Sequence, residues 1–307
     1  MSDDFRTDQT FQTPRLAHGE GCRCALHSRR LFTGGLLAGA LAGPALAQDG
    51  LQGDVGGQSS FTKLVSAEDV EAAAAQQYQQ MMREAAQKKA LAPANHPQVV
   101  RLRSIAERII PHALPWNARA RQWKWEVNLL GSEQVNAFCM PGGKIAFFYG
   151  ILSKLQLSDD EVATIMGHEV AHALREHARE RMGKTAATRI GAGLLSSLFG
   201  LGALGDTALS MGGQLLTLKF SRDDETEADV VGMDLAARAG HDPRAGVSLW
   251  NKMMQASKGS PPQFLSTHPA GPTRIKDIEA KLPKVMPIFE SAARPARNFG
   301  PPPRQPA

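Results

Sequence analysis

Two histidines four residues apart, with a glutamate beside the first, commit one stretch of this chain to a helix. His168-Glu169-Val170-Ala171-His172 reads H-E-x-x-H. Four residues is just over one helical turn, so His168 and His172 project from the same face. Two imidazoles so placed can grip one Zn²⁺, and Glu169 lies beside them, able to take a proton from water held by that ion. By residue frequencies alone, roughly one chain in a hundred of this length carries such a pentapeptide by accident. The rest of the sequence therefore has to support it.

The first support is a helix start. Ser158-Asp159-Asp160-Glu161 is a capping box, in which the Ser hydroxyl accepts from the third helical amide and Glu161 reaches back. The acidic first turn also suits the helix dipole. A helix is expected from Asp159 to about Arg181, with Val162, Ile165, Met166 and Ala173 on its packing side. On that helix His177 falls about 140° away from the ligand face, so it is not counted as a ligand.

A catalytic zinc needs three protein ligands and one open position. Ser221-Arg222-Asp223-Asp224-Glu225-Thr226-Glu227-Ala228-Asp229 offers the third. Glu225 and Asp229 are four apart on a helix and share a face. Glu225 can ligate the metal, and Asp229 can accept a hydrogen bond from a ligating imidazole and fix its tautomer. Taken alone, the same acidic cluster also reads as a solvated helix N-terminus.

The chain has 307 residues, 42% hydrophobic and 21% charged, which suits one large globular domain or two small ones. The net charge of +5 comes from scattered Lys and Arg, with only two Tyr and no basic-aromatic interleaving. That excludes nucleic acid as an expected partner. Before the globular region, Ser28-Arg29-Arg30-Leu31-Phe32 precedes an apolar run from Gly34 to Leu46, ending at Ala45-Leu46-Ala47. Paired arginines, a weakly hydrophobic core and a small-x-small cleavage site resemble a twin-arginine export signal over residues 1–47. An exported, periplasmic location follows from that reading. A cytoplasmic chain with a disordered N-terminus and a single-span anchor are its alternatives. Cleavage after Ala47 removes Cys22 and Cys24 and leaves Cys139 alone, so no internal disulfide is expected.

Residues 48–92 read as a Gly/Gln/Asp-rich linker followed by a helix over Ser66–Ala90, with Ser66 as N-cap. Pro97 to Ile110 repeats apolar residues at helical spacing. Trp123–Leu130, Val135–Met140 and Lys144–Tyr149 read as three strands, the last two joined through Pro141-Gly142-Gly143. Ile190 to Gly205 carries no charge. It is expected to be a buried or interface helix pair, with peripheral membrane association as the sharper alternative. Helices follow over Phe220–Ala239, from Asp242-Pro243 to about Gln255, and over Ile275–Lys281. From Pro283 to residue 307 the chain is a Pro-rich tail, expected to be mobile. The peptidase-like domain is placed at 93–282.

Four pieces stand in order over about Pro97–Leu282: Asn136–Gly143, Gly167–His172, Ser221-Arg222 with Glu225, Ala228 and Asp229, and Thr267-His268-Pro269 with Arg274-Ile275. In these pieces the chain resembles the zinc metallopeptidase family of the CAAX prenyl endopeptidases, the HtpX-type membrane proteases and the BepA-type periplasmic proteases. The resemblance implies a gluzincin: an α+β, mainly helical domain with a small three-stranded antiparallel sheet. It implies one zinc per chain on His168, His172 and Glu225, with Glu169 as general base and Asp229 behind a zinc histidine. His268 maps onto a loop histidine that either blocks the resting site or stabilises the oxyanion. Arg274 is expected to hold that loop through a salt bridge. The chain departs from the membrane branch in having no flanking transmembrane helices, and from larger periplasmic members in having no evident tetratricopeptide tail. The expected function is metalloendopeptidase action on protein or peptide substrates, among them misfolded or envelope proteins. The alternative is a periplasmic chaperone or assembly factor with a His-gated, mostly closed zinc site. A structural zinc protein with four closed ligands is the third reading. The oligomeric state is left open.

Overall fold

The computed structural model of the chain describes residues 50–191, 215, 218–257, 262–269 and 273–303. The export signal expected over 1–47 and nearly all of the charge-free stretch 190–205 lie outside the described residues.

The first two helices start where the local signals put them. Helix α1 (Ala67–Gln87) is capped by Ser66, whose side chain accepts from the Asp69 amide. Helix α2 (Pro97–Ile109) begins with proline, which has no amide to leave unpaired, and the His96 ring accepts from the Gln98 amide. Its apolar stripe of Val99, Leu102, Ile105 and Ile109 is buried in the core.

Three strands follow: β1 (Glu126–Leu130), β2 (Ala137–Met140) and β3 (Lys144–Phe148). The sheet is mixed, not antiparallel as expected. Its order is β1-β3-β2, with β1 parallel and β2 antiparallel to the central β3. Alternation marks a strand, and Pro141-Gly142-Gly143 marks the β2–β3 hairpin, but neither signal names the neighbour of β1. The chain from Gly131 to Asn136 passes over the central lane, and β3 returns to fill it. Gly142 and Gly143 both have φ near +80°, at 82° and 77°, which explains the paired glycines. A side chain at 143 would also strike the Trp125 ring.

A short helix α3 (Tyr149–Lys154) leads into α4 (Asp159–Leu174), whose capping box is complete at both hydrogen bonds. Beneath its first turn, the fully buried Arg101 pairs with Asp159 at 2.6 Å. The expected single helix to Arg181 is instead two. Glu176 adopts a left-handed φ of 58°, and helix α5 (His177–Gly191) starts in a new direction. Nothing in Leu174-Arg175-Glu176-His177 disfavours helix by propensity. The bend is sustained from outside, by Arg175 bonding to the Gly56 carbonyl and to Glu227.

Helix α6 (Arg222–Arg238) has a second complete capping box, Ser221 with Asp224. Helix α7 (Ala245–Ala256), the short α8 (Gln263–Thr267) and α9 (Arg274–Ser291) complete the description. Helix α9 runs ten residues past the expected Lys281, straight through Pro283 and Pro287. The two prolines lie four apart on the exposed side, where the carbonyls they leave unpaired face water, while Val285, Ile288 and Phe289 are buried opposite. The chain beyond is docked too, up to residue 303. The Phe299 amide donates to Asp159, and Pro302 accepts from Gln156. The segment expected to be a linker is likewise packed. Leu51 is fully buried and its amide donates to Asp234, and Asp54 pairs with Lys281 and Lys284.

Helices α4 and α6 make the most extensive contact between elements among the described residues. Gly167 faces Gly232: a Cβ on Gly232 would lie 2.7 Å from the His168 backbone nitrogen and 2.9 Å from the Gly167 carbonyl carbon. Both obstacles are backbone and cannot rotate away. Gly232→Ala is expected to cost about 1–3 kcal/mol of stability through overpacking. It should also weaken metal binding at least tenfold by separating the donors on the two helices. Denaturant unfolding of the metal-free protein and a zinc titration measure the two effects, and an alanine variant matching wild type in both would refute the tight-contact argument.

Candidate metal centre

The α4–α6 contact determines what faces what. Immediately after Gly167, α4 presents His168 and, one turn further on, His172. From the first turns of α6 comes Glu225. The Nε2 atoms of His168 and His172 are 3.1 Å apart. Glu225 lies 3.6 Å from His168 Nε2 through Oε2 and 3.4 Å from His172 Nε2 through Oε1. With His268, which follows α8, one ligand atom from each of the four falls within 4.8 Å of all the others, and all four residues are buried.

These donors fit zinc. Ligands at roughly 2.1 Å in a tetrahedron stand about 3.4 Å from one another, and the three His-His-Glu separations match that edge. Buried polar atoms should have partners, yet Glu225 Oε1, Glu169 Oε1 and His268 Nε2 have none among the described residues. All three border the same spot. Burial, reinforced by nearby cationic groups, holds the His172 and His268 rings well below the usual histidine range. Neutral imidazole is the form that ligates.

The groups behind the donors are as ordered as the donors. Asp229 Oδ1 is 3.0 Å from His168 Nδ1. Burial alone would raise the Asp229 carboxyl, but the Arg274 charge and the His168 hydrogen bond outweigh it and hold it below the ordinary value. Arg274 binds Glu225 at 2.6 Å and Asp229 at 2.7 Å, and its guanidinium lies 3.6 Å over the Trp250 ring. Sequence reasoning expected Arg274 to hold a loop; the structure places it across the two acids of α6. Behind His172 stands His177, Nδ1 to Nδ1 at 2.9 Å, and His177 Nε2 lies 2.7 Å from Glu227. Neither residue is given a role by the sequence, because a continuous helix turns His177 away. The four-residue gap between His172 and His177 carries no local sign of the bend that brings them together.

Glu169 is buried beside the donors without belonging to their set, with Oε1 3.4 Å from His268 Nε2. Burial and the neighbouring Glu225 push its carboxyl well above the ordinary value, against a backbone hydrogen bond from Cys139. The His268 ring stacks on Phe264, with centroids 4.4 Å apart, and its Nδ1 lies 3.2 Å from the Phe264 carbonyl oxygen. Nδ1–H therefore donates there, and the Nε2 lone pair faces the metal donors. Phe220 stacks on His172 at 3.9 Å. A cleft opens along this side, lined by residues 136–141 of the β2 edge, Glu169, Leu218, Phe220 and His268.

Comparison with known proteins agrees with this geometry. The chain is 39% identical over 152 residues to the mitochondrial metalloendopeptidase OMA1 of Arabidopsis thaliana, covering 50% of this chain and 30% of that protein. It is 34% identical over 197 residues to the OMA1 of Schizosaccharomyces pombe, covering 63% and 56%. To the beta-barrel assembly-enhancing protease of Yersinia pestis it is 26% identical over 281 residues, covering 85% and 53%. It thus spans less than two thirds of each of these relatives. The match that reaches across the site is to a family: residues 97–282, from the first residue of α2 to the middle of α9, fit the model of Peptidase family M48, and the chain belongs to that family.

Proposed function

We propose that the chain is a zinc-dependent metalloendopeptidase that hydrolyses peptide bonds in unfolded or misfolded envelope proteins. The observation that carries this reading is the convergence of His168, His172 and Glu225 at zinc-ligand separations with the Glu169 carboxyl beside them, its Oε1 without a hydrogen-bond partner. When bound, zinc polarises the scissile carbonyl and makes a water acidic near neutral pH. The residues of the chain do the rest. Asp229 accepts from His168 Nδ1–H and keeps its Nε2 lone pair aimed inward. Glu169 takes the proton of the attacking water and passes it to the leaving amine nitrogen. Its raised carboxyl suits it to hold that proton between the two steps. β2 is an edge strand whose outer side borders the cleft. An extended peptide can pair with that edge and present its carbonyl to Glu169.

One observation favours a second reading. A neutral His268 with its Nε2 lone pair facing the donors is a fourth ligand rather than an oxyanion donor. That is the closed site of an assembly factor, or of a protease whose His268 must withdraw before substrate enters.

The export reading of residues 1–47 belongs to the same proposal and is supported by Arg29-Arg30 and Ala45-Leu46-Ala47. Among the described residues no helix is long and apolar enough to cross a membrane. Contact with a membrane surface through 190–205 is supported by the lack of charge there. A domain over 93–282 is supported by the span of the family match.

Zinc content and casein cleavage test the function together. The purified protein is expected to hold about one zinc per chain, to lose cleavage when dialysed against a chelator, and to regain it when zinc is restored. A zinc that resists the chelator in a protein that cleaves nothing would reject the peptidase and support the closed site.

A further inference from the structure

The two metal histidines are backed differently. His168 meets a carboxylate directly, at 3.0 Å. His172 meets a second imidazole, His177, which in turn meets the Glu227 carboxylate at 2.7 Å. We propose that His177, seated on Glu227, is a positioning residue that orients His172 and selects its metal-binding tautomer. This rests on the zinc reading of the centre given above.

Proton counting leaves one arrangement. His172 Nε2 faces the other donors, 3.1 Å from His168 Nε2 and 3.4 Å from Glu225. As a ligand it carries a lone pair there, so the ring proton sits on Nδ1. That proton points at His177 Nδ1, which must therefore be the acceptor. The proton of His177 is then on Nε2, facing Glu227 Oε2. The carboxylate accepts it, and the chain of bonds runs His172 to His177 to Glu227 with every donor matched to an acceptor. The far end is clamped. Arg175 binds the other Glu227 oxygen at 2.8 Å. Burial alone would raise the Glu227 carboxyl, but the bonds from His177 and Arg175 outweigh it and keep it below its ordinary value.

The backbone supports a dedicated role. His177 is 1% exposed, so its ring is held from all sides. It reaches His172 only because Glu176 takes a left-handed φ of 58°, a conformation costing a non-glycine residue on the order of 1 kcal/mol. A continuous helix would have carried His177 away from His172. The kink turns it back under the ring, and Arg175, next to the kink, grips the same glutamate.

The full-length protein tests this through zinc affinity, measured by competition with a chromophoric chelator, alongside the melting temperature of each zinc-free form. His177→Phe keeps a buried ring but accepts nothing from His172, and is expected to bind zinc about 10–100-fold more weakly. His177→Gln can accept through its amide oxygen and donate to Glu227 through its nitrogen, so it should recover most of that loss. Glu227→Gln, at a less buried position and still able to accept from His177 and Arg175, should weaken zinc several-fold while lowering the zinc-free melting temperature less than His177→Phe does. The proposal is overturned if His177→Phe and Glu227→Gln bind zinc as wild type does. It is equally overturned if His177→Gln is as weak as His177→Phe and both melt early without zinc, the pattern of a packing residue. Wild type that binds no zinc would refute the metal reading itself, a result distinct from either.

Discussion

Glu169→Gln stops peptide hydrolysis and leaves the zinc in place. The substitution preserves the shape of a side chain that is 2% exposed, so packing around it is undisturbed. It removes the one function the proposal gives it, since an amide cannot take a proton from water. General-base contributions run to about 10²–10⁴-fold, and a loss of roughly 10³-fold in casein cleavage is expected. Zinc content should stay at the wild-type value, because Glu169 is outside the His168, His172, Glu225 and His268 donor set. Stability should not fall either, since burial and Glu225 already disfavour a charge at this position. Cleavage at the wild-type rate would falsify the mechanism.

Arg274→Met should have the largest effect on folding. Arg274 is 6% exposed and bridges Glu225 and Asp229. Removing it leaves two buried carboxylates facing each other without their shared cation. Breaking a buried ion pair from one side costs about 3–5 kcal/mol, which for a domain of this size lowers the melting temperature on the order of 10 °C. The loss should be greatest in the zinc-free protein, since a metal cation at the site returns positive charge beside Glu225. Unfolding of wild type and variant, each with and without zinc, measures this. A variant within 1 kcal/mol of wild type when zinc-free would show that the acids do not depend on Arg274.

What could be read from the sequence follows the range of the forces involved. The helix around the pentapeptide was legible because its signals are local: Ser158 and Glu161 at fixed spacing, and two histidines one turn apart. The same holds for the Glu225–Asp229 pair. The hairpin between β2 and β3 was legible from Pro141 and its glycines. The kink at Glu176 was not, since Glu227 and Gly56 sustain it from distant parts of the chain, and with it went His177. The parallel pairing of β1 was missed because alternation says which face is buried but not which strand lies alongside. The two prolines of α9 read as a helix end, yet the burial of Val285, Ile288 and Phe289 decides the matter at long range. Leu51 was hidden for a similar reason: a lone apolar residue among Gly, Gln and Asp has no pattern, and only its pocket beside Asp234 explains it.

The facing glycines of α4 and α6 carry a consequence for the supply of metal. Because the two backbones touch there, the donors of the separate helices meet only in the folded chain. An ion that binds them all is a ligand of the native state and scarcely of the unfolded one. By mass action, free zinc at a hundred times its dissociation constant adds about 2.7 kcal/mol to folding. The folded population of this protein is thus coupled to the zinc available where it folds, and scarcity of the ion weakens the scaffold along with the chemistry.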